Sequence, residues 1–203
     1  MLKVAITGQM GSGKSYIANI FESIGVPYIS MDLIAKEVQS KYVDLQAKLR
    51  NRFPDGYKSN GELDKESMRR ILFFDKTGKN LKDMYDLFLP YLFKDLDEFY
   101  NRNLDKAYVL VESALIYEYD LQKLFDLIIF VDADEDIRRE RALKRDGISR
   151  EDYDNRMKNQ IPDEYKIKHS DFVIRNDFTD NIRSQVINLN SLLLDEKHTK
   201  ILK

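Results

Sequence analysis

A glycine-rich stretch near the start of the chain constrains the fold more than any other feature. Residues 8–15 read Gly-Gln-Met-Gly-Ser-Gly-Lys-Ser and follow the apolar run of residues 2–7. The pattern of glycine, four residues, glycine, lysine and a hydroxyl residue here stands between a predicted strand and a predicted helix. Glycine lets successive backbone N–H groups turn inward around an anion, and the helix N-terminus adds partial positive charge. The stretch therefore predicts a site for the phosphates of a nucleoside triphosphate.

Two side chains of this loop have predicted contacts with the nucleotide. The ammonium of Lys14 can reach the β and γ phosphates, and the hydroxyl of Ser15 can ligate Mg²⁺. The alternative is a glycine-rich turn that only resembles a phosphate loop, but the flanking strand and helix argue against it. We therefore expect a nucleoside triphosphate as ligand and Mg²⁺ as its cofactor.

The composition excludes several other kinds of function. Acidic and basic residues nearly cancel, with a net charge of −2 and a sequence pI near 5.8, so no basic excess favours a nucleic-acid partner. The chain has no cysteine, which excludes disulfides and thiolate catalysis, and its 2 histidines argue against a zinc site. It has no long apolar run that would enter a membrane. We expect a cytoplasmic protein without membrane contact.

Alternating strand and helix patterns predict the fold. Short apolar runs favour strands, and amphipathic stretches lie between most of them. This alternation is typical of an α/β fold with a parallel sheet, here of five strands, flanked by helices. The predicted strands are residues 2–7, 26–30, 107–112, 127–132 and 172–175. The predicted core helices are residues 16–24, 134–146, one opening at Ser149, and 177–194, with a short helix after Glu112 and a frayed tail over 195–203.

Residues 33–105 interrupt this alternation with helical patterns and no convincing strand. Helices are predicted over 63–73 and 81–101, the second kinked or broken at Pro90. Because the insertion follows the second strand, it would overhang the carboxyl edge of the sheet, where ligands of open α/β folds bind. We interpret it as an acceptor-binding lobe.

Asp32 stands at the carboxyl end of the second predicted strand, at the same edge as the phosphate loop. Its carboxylate could accept the proton of an acceptor hydroxyl or orient that hydroxyl for in-line attack on the γ-phosphorus. It could equally be the N-cap of the helix that follows. Position in the sequence alone does not choose between the two roles.

Two further carboxylates end predicted strands. Glu112 closes the third strand, where it could hold Mg²⁺ through water or orient the acceptor. Asp132 closes the fourth strand and competes for the metal role. For Asp132, however, capping of the helix from Asp134 is the favoured interpretation.

Six arginines lie on two predicted helices joined at Gly147. Phosphoryl transfer places charge on equatorial oxygens, which an arginine on a closing flap can neutralise. Most of the six must instead lie on a solvated face with i,i+4 partners. We predict that Arg141 and Arg145, one turn apart on one face, are the functional pair. The six are Arg138, Arg139, Arg141, Arg145, Arg150 and Arg156.

Taken in order, these stretches resemble the dephospho-CoA kinase family over about residues 2–190. The resemblance rests on residues 7–15, 25–36, 69–73, 114–118, 144–151, Arg156 with Gln160, and 172–176. It implies ATP-dependent phosphorylation of the ribose 3′-hydroxyl of dephospho-CoA, the last step of coenzyme A synthesis. We expect a monomer whose partners are these two small molecules.

The same resemblance implies the parts of a single P-loop kinase domain over residues 1–203. They are a core of 1–32 and 106–203, a helical CoA-binding insertion of about 33–105, and an arginine-bearing lid of about 142–160.

The resemblance also implies roles for individual residues. The implied catalytic residues are Lys14, Asp32 as base, Arg141 and Arg145. The implied ATP-binding residues are Gly8, Gly11, Ser12, Gly13, Lys14, Ser15, Tyr16, Arg141, Arg145 and Asn176, the last near the adenine pocket. The implied acceptor-binding residues are Asp32, Lys36, Arg70 and Glu112, and Ser15 is the implied Mg²⁺ ligand, with Glu112 as a second candidate.

Three positions depart from the family pattern. Ser30 replaces the first of two acidic residues that usually flank one small residue at the end of the second strand. Leu89 precedes Pro90 where the family usually has histidine, and Ala114 stands where proline is usual. The missing histidine bears on acceptor binding. The loop residues and Asp32 are intact, so we expect the phosphoryl-transfer machinery to be complete.

Three other functions are compatible with a phosphate loop. A kinase of another small acceptor, such as a nucleoside monophosphate or shikimate, is the nearest, but the length of 33–105 favours a larger acceptor. A GTP-gated switch would carry an Asn-Lys-x-Asp segment late in the chain, which is missing, and the Asp-x-x-Gly match at 75–78 falls between helices. An inactive acceptor-binding relative would be consistent with Leu89, but the complete phosphate loop argues against it.

Overall fold

The computed structural model of the chain describes residues 1–75, 77–158, 160–177 and 181–195, without the side chains of residues 39 and 73. It divides into two compact units. The core unit comprises Met1–Asp32 with Asn103–Lys203, and the helical unit comprises Leu33–Arg102. That the two act as one kinase domain stays a prediction.

A parallel five-stranded sheet forms the centre of the core unit, which confirms the predicted fold class. The strands are β1 (Leu2–Thr7), β2 (Tyr28–Ser30), β3 (Tyr108–Glu112), β4 (Leu127–Asp132) and β5 (Phe172–Arg175). Their order is β2-β3-β1-β4-β5, and every neighbouring pair is parallel. Strand β3 is buried along its whole length because helices cover both faces of such a sheet. Glu112 is in register with both Ile6 and Ser30, so polar residues that end these strands meet at one edge.

Nine helices are found in the described parts of the chain. They are α1 (Lys14–Ser23), α2 (Met31–Lys41), α3 (Val43–Arg52), α4 (Lys65–Phe73), α5 (Lys79–Asn101), α6 (Glu135–Asp146), α7 (Arg150–Met157), α8 (Asp163–Lys168) and α9 (Ile182–Leu194). Local signals fix several of their ends. The side chain of Asp134 accepts from the N–H of Asp136 to cap α6, and that of Ser149 accepts from the N–H of Asp152 to cap α7. Gly147, at φ 62°, ends α6 in the left-handed conformation that glycine adopts readily.

An apolar cluster fixes α1 and α9 against the sheet. Phe21 of α1 is fully buried among sheet residues such as Ile6 and Leu110, and Val186 and Leu189 of α9 join the same cluster. Burying a side chain such as Phe21 contributes about 2 kcal/mol. This packing holds the N-terminus of α1 at the carboxyl edge of β1, which is where the phosphate loop lies.

Several predictions on secondary structure need correction. The segment after Glu112 contains turns and a 3₁₀ turn at Gln122–Leu124 in place of the predicted short helix, and Asp120, at φ 54°, would end any right-handed helix at that point. The closing helix begins at Ile182 with Asn181 as its cap, later than predicted, and α8 was not predicted. Residues 178–180 and the predicted frayed tail after 195 lie outside the described residues.

The helical unit is built from the rest of α2 and from α3, α4 and α5. Its described residues form no strand, only an isolated β-bridge between Tyr57 and Leu63. Helix α5 runs through Pro90 without interruption, so of the predicted kink or break the break is wrong, and the kink stays a prediction. Buried Tyr91, Leu92 and Leu96 follow the proline, and their packing offsets the backbone hydrogen bond that it removes. Across the described residues, no helix combines the length and the apolar character that crossing a bilayer requires.

Candidate active site

The phosphate loop is held by contacts that admit only glycine at two positions. Gly11 and Gly13 adopt φ 85° and 89°, and a Cβ atom at either would lie 2.1 Å from a neighbouring atom. At Gly11 that atom is the carbonyl oxygen of Arg138, and at Gly13 it is Nδ2 of Asn176. The backbone of α6 at Gly11 and the side chain of Asn176 at Gly13 therefore approach the loop too closely for a Cβ atom. A Cβ atom built at Gly8 would lie 2.5 Å from the carbonyl oxygen of Val131 in β4.

Asn176 lies behind the loop and fixes its shape. Its side chain is buried, and its Nδ2 donates to the carbonyl of Ser12 at 2.7 Å. Ser12 itself is fully buried, so it contributes backbone to the loop. Contact of Asn176 with adenine stays a prediction, since Asn176 does not line the cavity described below.

Lys14, the first residue of α1, is buried at the centre of the site. Its Nζ donates to the Gln9 carbonyl at 3.2 Å. Burial lowers the pKa of Lys14 from its ordinary value to about 8, although the nearby carboxylates of Glu112 and Asp32 raise it in part. An ammonium placed this way lacks solvent and gains strongly from an approaching phosphate.

The lowered pKa of Lys14 predicts that nucleotide binding depends on pH. Between about pH 8 and 10.5 the unfolded chain holds more protons than the free folded protein, so the stability of the free protein rises with pH across that window. Bound phosphate favours the protonated lysine, so ADP affinity should fall by up to about tenfold per pH unit above pH 8.

Calorimetry in two buffers of different ionisation enthalpy should show proton uptake when ADP binds just above this pKa. The Lys14→Met variant keeps the apolar stem and should lose that uptake. An ADP affinity that stays constant across the window would contradict the prediction.

A cavity of about 720 Å³ opens in front of the loop, a size suited to a nucleotide. Most of the predicted site residues line it, namely Gly11, Gly13, Lys14, Ser15, Tyr16, Asp32, Glu112, Arg141 and Arg145.

Asp32 is exposed in this cavity, in the first turn of a helix that already begins at Met31, so it is not the N-cap. The predicted capping role of Asp132 is also wrong, because Asp134 caps α6 and Asp132 lies 3.4 Å from Nε of Arg175.

The fold separates five of the six arginines into two groups, and the sixth, Arg150, is exposed. Arg141, Arg145 and Arg156 line the cavity, and Arg145 forms two hydrogen bonds with Asp146, from Nε at 2.8 Å and from Nη2 at 2.9 Å. This pairing raises the pKa of Arg145. Arg138 is buried and pairs with Asp163 at 2.8 Å, and Arg139 pairs with Glu135 and Asp136.

Two basic residues of the cavity were missing from the predicted site, Lys144 and Arg156. Arg156 was among the six arginines, and helical spacing gave no signal for it because it lies on α7 and not on the face shared by Arg141 and Arg145. The other predicted acceptor residues belong to the helical unit. There Lys36 lines a hollow of about 410 Å³ with Arg50 and Tyr57, and Arg70 lines another of about 500 Å³.

Oxygen donors suited to a divalent cation lie at the floor of the cavity. The hydroxyl of Ser15 donates to Oε1 of Glu112 at 2.6 Å, and the hydroxyl of Tyr28 donates to Oε2 of Glu112. Glu112 is only 4% exposed. A hydroxyl and a carboxylate beside a phosphate site are the hard oxygen ligands that Mg²⁺ prefers, so these residues fit the metal.

A buried ion pair anchors the end of the predicted lid. The backbone of Ile161 donates to Oε1 of Glu118 at 3.1 Å and accepts from Nε2 of Gln9, in the phosphate loop, at 2.9 Å. The ammonium of Lys166 lies 2.6 Å from the same oxygen of Glu118, and its side chain is 0% exposed. The chain just after the predicted lid therefore contacts the phosphate loop through Ile161.

We expect Glu118→Gln to lower the free energy of unfolding by about 3–5 kcal/mol, because it leaves the Lys166 charge buried without its counter-ion. The double variant Glu118→Gln with Lys166→Met should recover much of that loss, since it buries no charge. Urea unfolding measures both.

The matched control is Asp120→Asn, which breaks the exposed pair of Asp120 with Lys123 and should change the same free energy by less than about 1 kcal/mol. Equal effects of Glu118→Gln and Asp120→Asn would show that burial does not matter here.

Comparison with known proteins places this site in a family. The family model for dephospho-CoA kinase matches residues 2–181. A dephospho-CoA kinase of Sodalis glossinidius is 32% identical over 174 residues, covering 85% of this chain and 82% of the relative. That of Mannheimia succiniciproducens is 31% identical over 200 residues, covering 94% and 91%.

Solved structures agree on the fold. TT1252 from Thermus thermophilus superposes with a TM-score of 0.83 at 28% identity, covering 96% of this chain and 97% of that one. A shikimate kinase from Acinetobacter baumannii, at 16% identity and a TM-score of 0.54, covering 97% and 95%, shares the fold alone. The phosphate loop, Asp32 and the cavity arginines agree with the family-model match and with these relatives. The chain therefore belongs to the dephospho-CoA kinase family.

Proposed function

We propose that this chain transfers the γ-phosphoryl group of ATP to the ribose 3′-hydroxyl of dephospho-CoA, giving coenzyme A and ADP. One observation carries the proposal beyond family membership. A single cavity of the core unit brings together the Lys14 ammonium, the Asp32 carboxylate and the arginines of α6 and α7. Phosphoryl transfer needs these three kinds of group, since it depends mainly on positioning and on stabilising the charge of the transferred group.

Each group has one task in this mechanism. Backbone N–H groups of the phosphate loop and the ammonium of Lys14 bind the β and γ phosphates. Asp32 orients the acceptor hydroxyl and takes its proton as the bond to phosphorus forms. Arg141 and Arg145, with Arg156 and Lys144, neutralise charge on the equatorial oxygens and exclude water as the predicted lid closes.

Mg²⁺ is the cofactor we assign to this reaction. Ser15 and Glu112 would hold it, and when bound it neutralises charge on the β and γ phosphates. The residues that we propose for the acceptor are Asp32, Lys36, Arg70 and Glu112, the second and third in the helical unit. The monomeric state, the cytoplasmic location and the lack of a nucleic-acid partner stay predictions of the sequence.

The test is ADP release by the purified protein with ATP and Mg²⁺, offered in turn dephospho-CoA, AMP, CMP, shikimate or no acceptor, with product masses measured. ADP release only with dephospho-CoA, and a product one phosphate heavier, is the expected result. ADP release with shikimate or a nucleoside monophosphate would identify that compound as the acceptor in place of dephospho-CoA. Nucleotide binding without release for any acceptor would overturn the proposal, and Leu89→His would then test whether the missing histidine is the cause.

A further inference from the structure

The buried carboxylate of Glu112 is held on both sides. Its Oε1 accepts from the Ser15 hydroxyl at 2.6 Å, and its Oε2 accepts from the hydroxyl of Tyr28. These three residues belong to the phosphate-loop helix α1, to β3 and to β2, so the contact ties the sheet edge to the loop. The two hydrogen bonds fix the orientation of the carboxylate, with Oε1 directed to the Ser15 hydroxyl.

Tyr28 reaches this carboxylate from outside the cavity. It is partly buried and does not line the cavity, whereas Ser15 and Glu112 both do. A group in this place does not line the cavity where the nucleotide is proposed to bind, so we expect any effect of Tyr28 on that cavity to pass through Glu112.

The phenol of Tyr28 is a dependable donor. Its hydroxyl donates to Oε2 of Glu112, while Oε1 of the same carboxylate accepts from Ser15. The side chain of Ser30, the register partner of Glu112, also hydrogen-bonds the phenol. With its donor fixed in this way, Glu112 cannot rotate Oε1 away from Ser15 without losing a buried hydrogen bond.

We propose that Tyr28 is a positioning residue for the divalent metal of the nucleotide complex, acting by orienting the Glu112 carboxylate beside the Ser15 hydroxyl. The inference rests on the proposed function, in which Ser15 and Glu112 hold the metal. Partners that orient a ligating carboxylate contribute about 10- to 100-fold to metal affinity. The proposal therefore separates metal affinity from nucleotide affinity, which Tyr28 does not contact.

The probe is Mn²⁺, measured by the electron paramagnetic resonance signal of the free ion at a fixed concentration of protein and ADP. We expect Tyr28→Phe to raise the dissociation constant of Mn²⁺ from the protein–ADP complex by about 10- to 100-fold. Affinity for ADP without metal, measured by calorimetry in chelator, should stay within about twofold, because no contact with the nucleotide is lost.

Tyr108→Phe is the matched control. Tyr108 is also a buried tyrosine of the same sheet, its hydroxyl donates to Oδ1 of Asn190 at 2.6 Å, and it does not line the cavity. The Tyr108→Phe substitution, like Tyr28→Phe, removes one hydrogen bond donated by a tyrosine hydroxyl, but it leaves the contacts of Glu112 unchanged. The Mn²⁺ dissociation constant of Tyr108→Phe should match that of the unmodified protein.

A second background tests whether the effect passes through Glu112. In Glu112→Gln, adding Tyr28→Phe should change the Mn²⁺ dissociation constant no further. Unchanged Mn²⁺ binding in Tyr28→Phe, or an equal loss in both backgrounds, would overturn the inference while leaving the proposed kinase activity intact. Full Mn²⁺ binding in Glu112→Gln alone would instead overturn the metal role of Glu112, and the role of Tyr28 with it.

Discussion

Replacing Asp32 by asparagine is expected to lower turnover by about 10²-fold or more with little change in ATP affinity. The carboxylate lies in the cavity, in the first turn of α2, close enough to Lys14 that its charge raises the pKa of that residue. Asparagine keeps the shape and the hydrogen-bonding reach but cannot take the proton of the acceptor hydroxyl. Steady-state turnover with ATP and dephospho-CoA, beside ATP binding by calorimetry, measures both quantities.

The matched control is Asp136→Asn, which also removes a carboxylate from the first turn of a helix in the core unit but does not line the cavity. Both substitutions weaken the favourable interaction with a helix dipole, worth about 0.3–1 kcal/mol. Only Asp32→Asn should affect turnover. Equal turnover in the two variants would reduce Asp32 to a residue that stabilises the start of α2.

Lys14→Met is expected to lower turnover by about 10²- to 10³-fold, the usual cost of removing one charge-stabilising donor from a site shielded from water. The loss should appear with any acceptor, because Lys14 acts on the nucleotide. Initial rates of ADP release with dephospho-CoA, and the slow background hydrolysis of ATP without acceptor, measure it.

Stability separates this effect from misfolding. Burial disfavours the charged form of Lys14 and lowers its pKa to about 8, so the charge costs free energy in the free protein near neutral pH. Lys14→Met should therefore unfold at a temperature equal to or above that of the unmodified protein. Lys123→Met, at an exposed lysine outside the cavity, is the control for both measurements. Full activity in Lys14→Met would contradict the assigned role of the phosphate loop.

The sequence alone was sufficient for the fold class and for identifying several of the residues that line the cavity of the core unit. Short apolar runs predicted all five strands, and the glycine-rich loop between strand and helix predicted where the phosphates bind. Parallel strands present their carboxyl ends at one edge, so Asp32 and Glu112 could be assigned to that edge without a structure, and the cavity contains both. These inferences succeeded because they depend on local pattern and on one rule of topology.

Local pattern failed in two backbone segments and in the grouping of the arginines. The helix predicted after Glu112 is replaced by turns, and the predicted break at Pro90 is absent because packing of the helical unit outweighs one lost hydrogen bond. Helical spacing placed Arg141 and Arg145 on one face. It could not show that Arg156 of α7 lines the same cavity, or that Arg138 forms an ion pair with Asp163.

Tertiary structure alone decided how the site is supported. The need for glycine at Gly11 comes from the carbonyl of Arg138, and the shape of the loop depends on Asn176, both distant in sequence. Tyr28 likewise reaches Glu112 only because β2 and β3 are neighbours in the sheet. The sequence determines which groups can do the chemistry, since that depends on residue type. Which groups hold them in place depends on contacts between segments far apart in the chain, and only the folded arrangement of those segments specifies them.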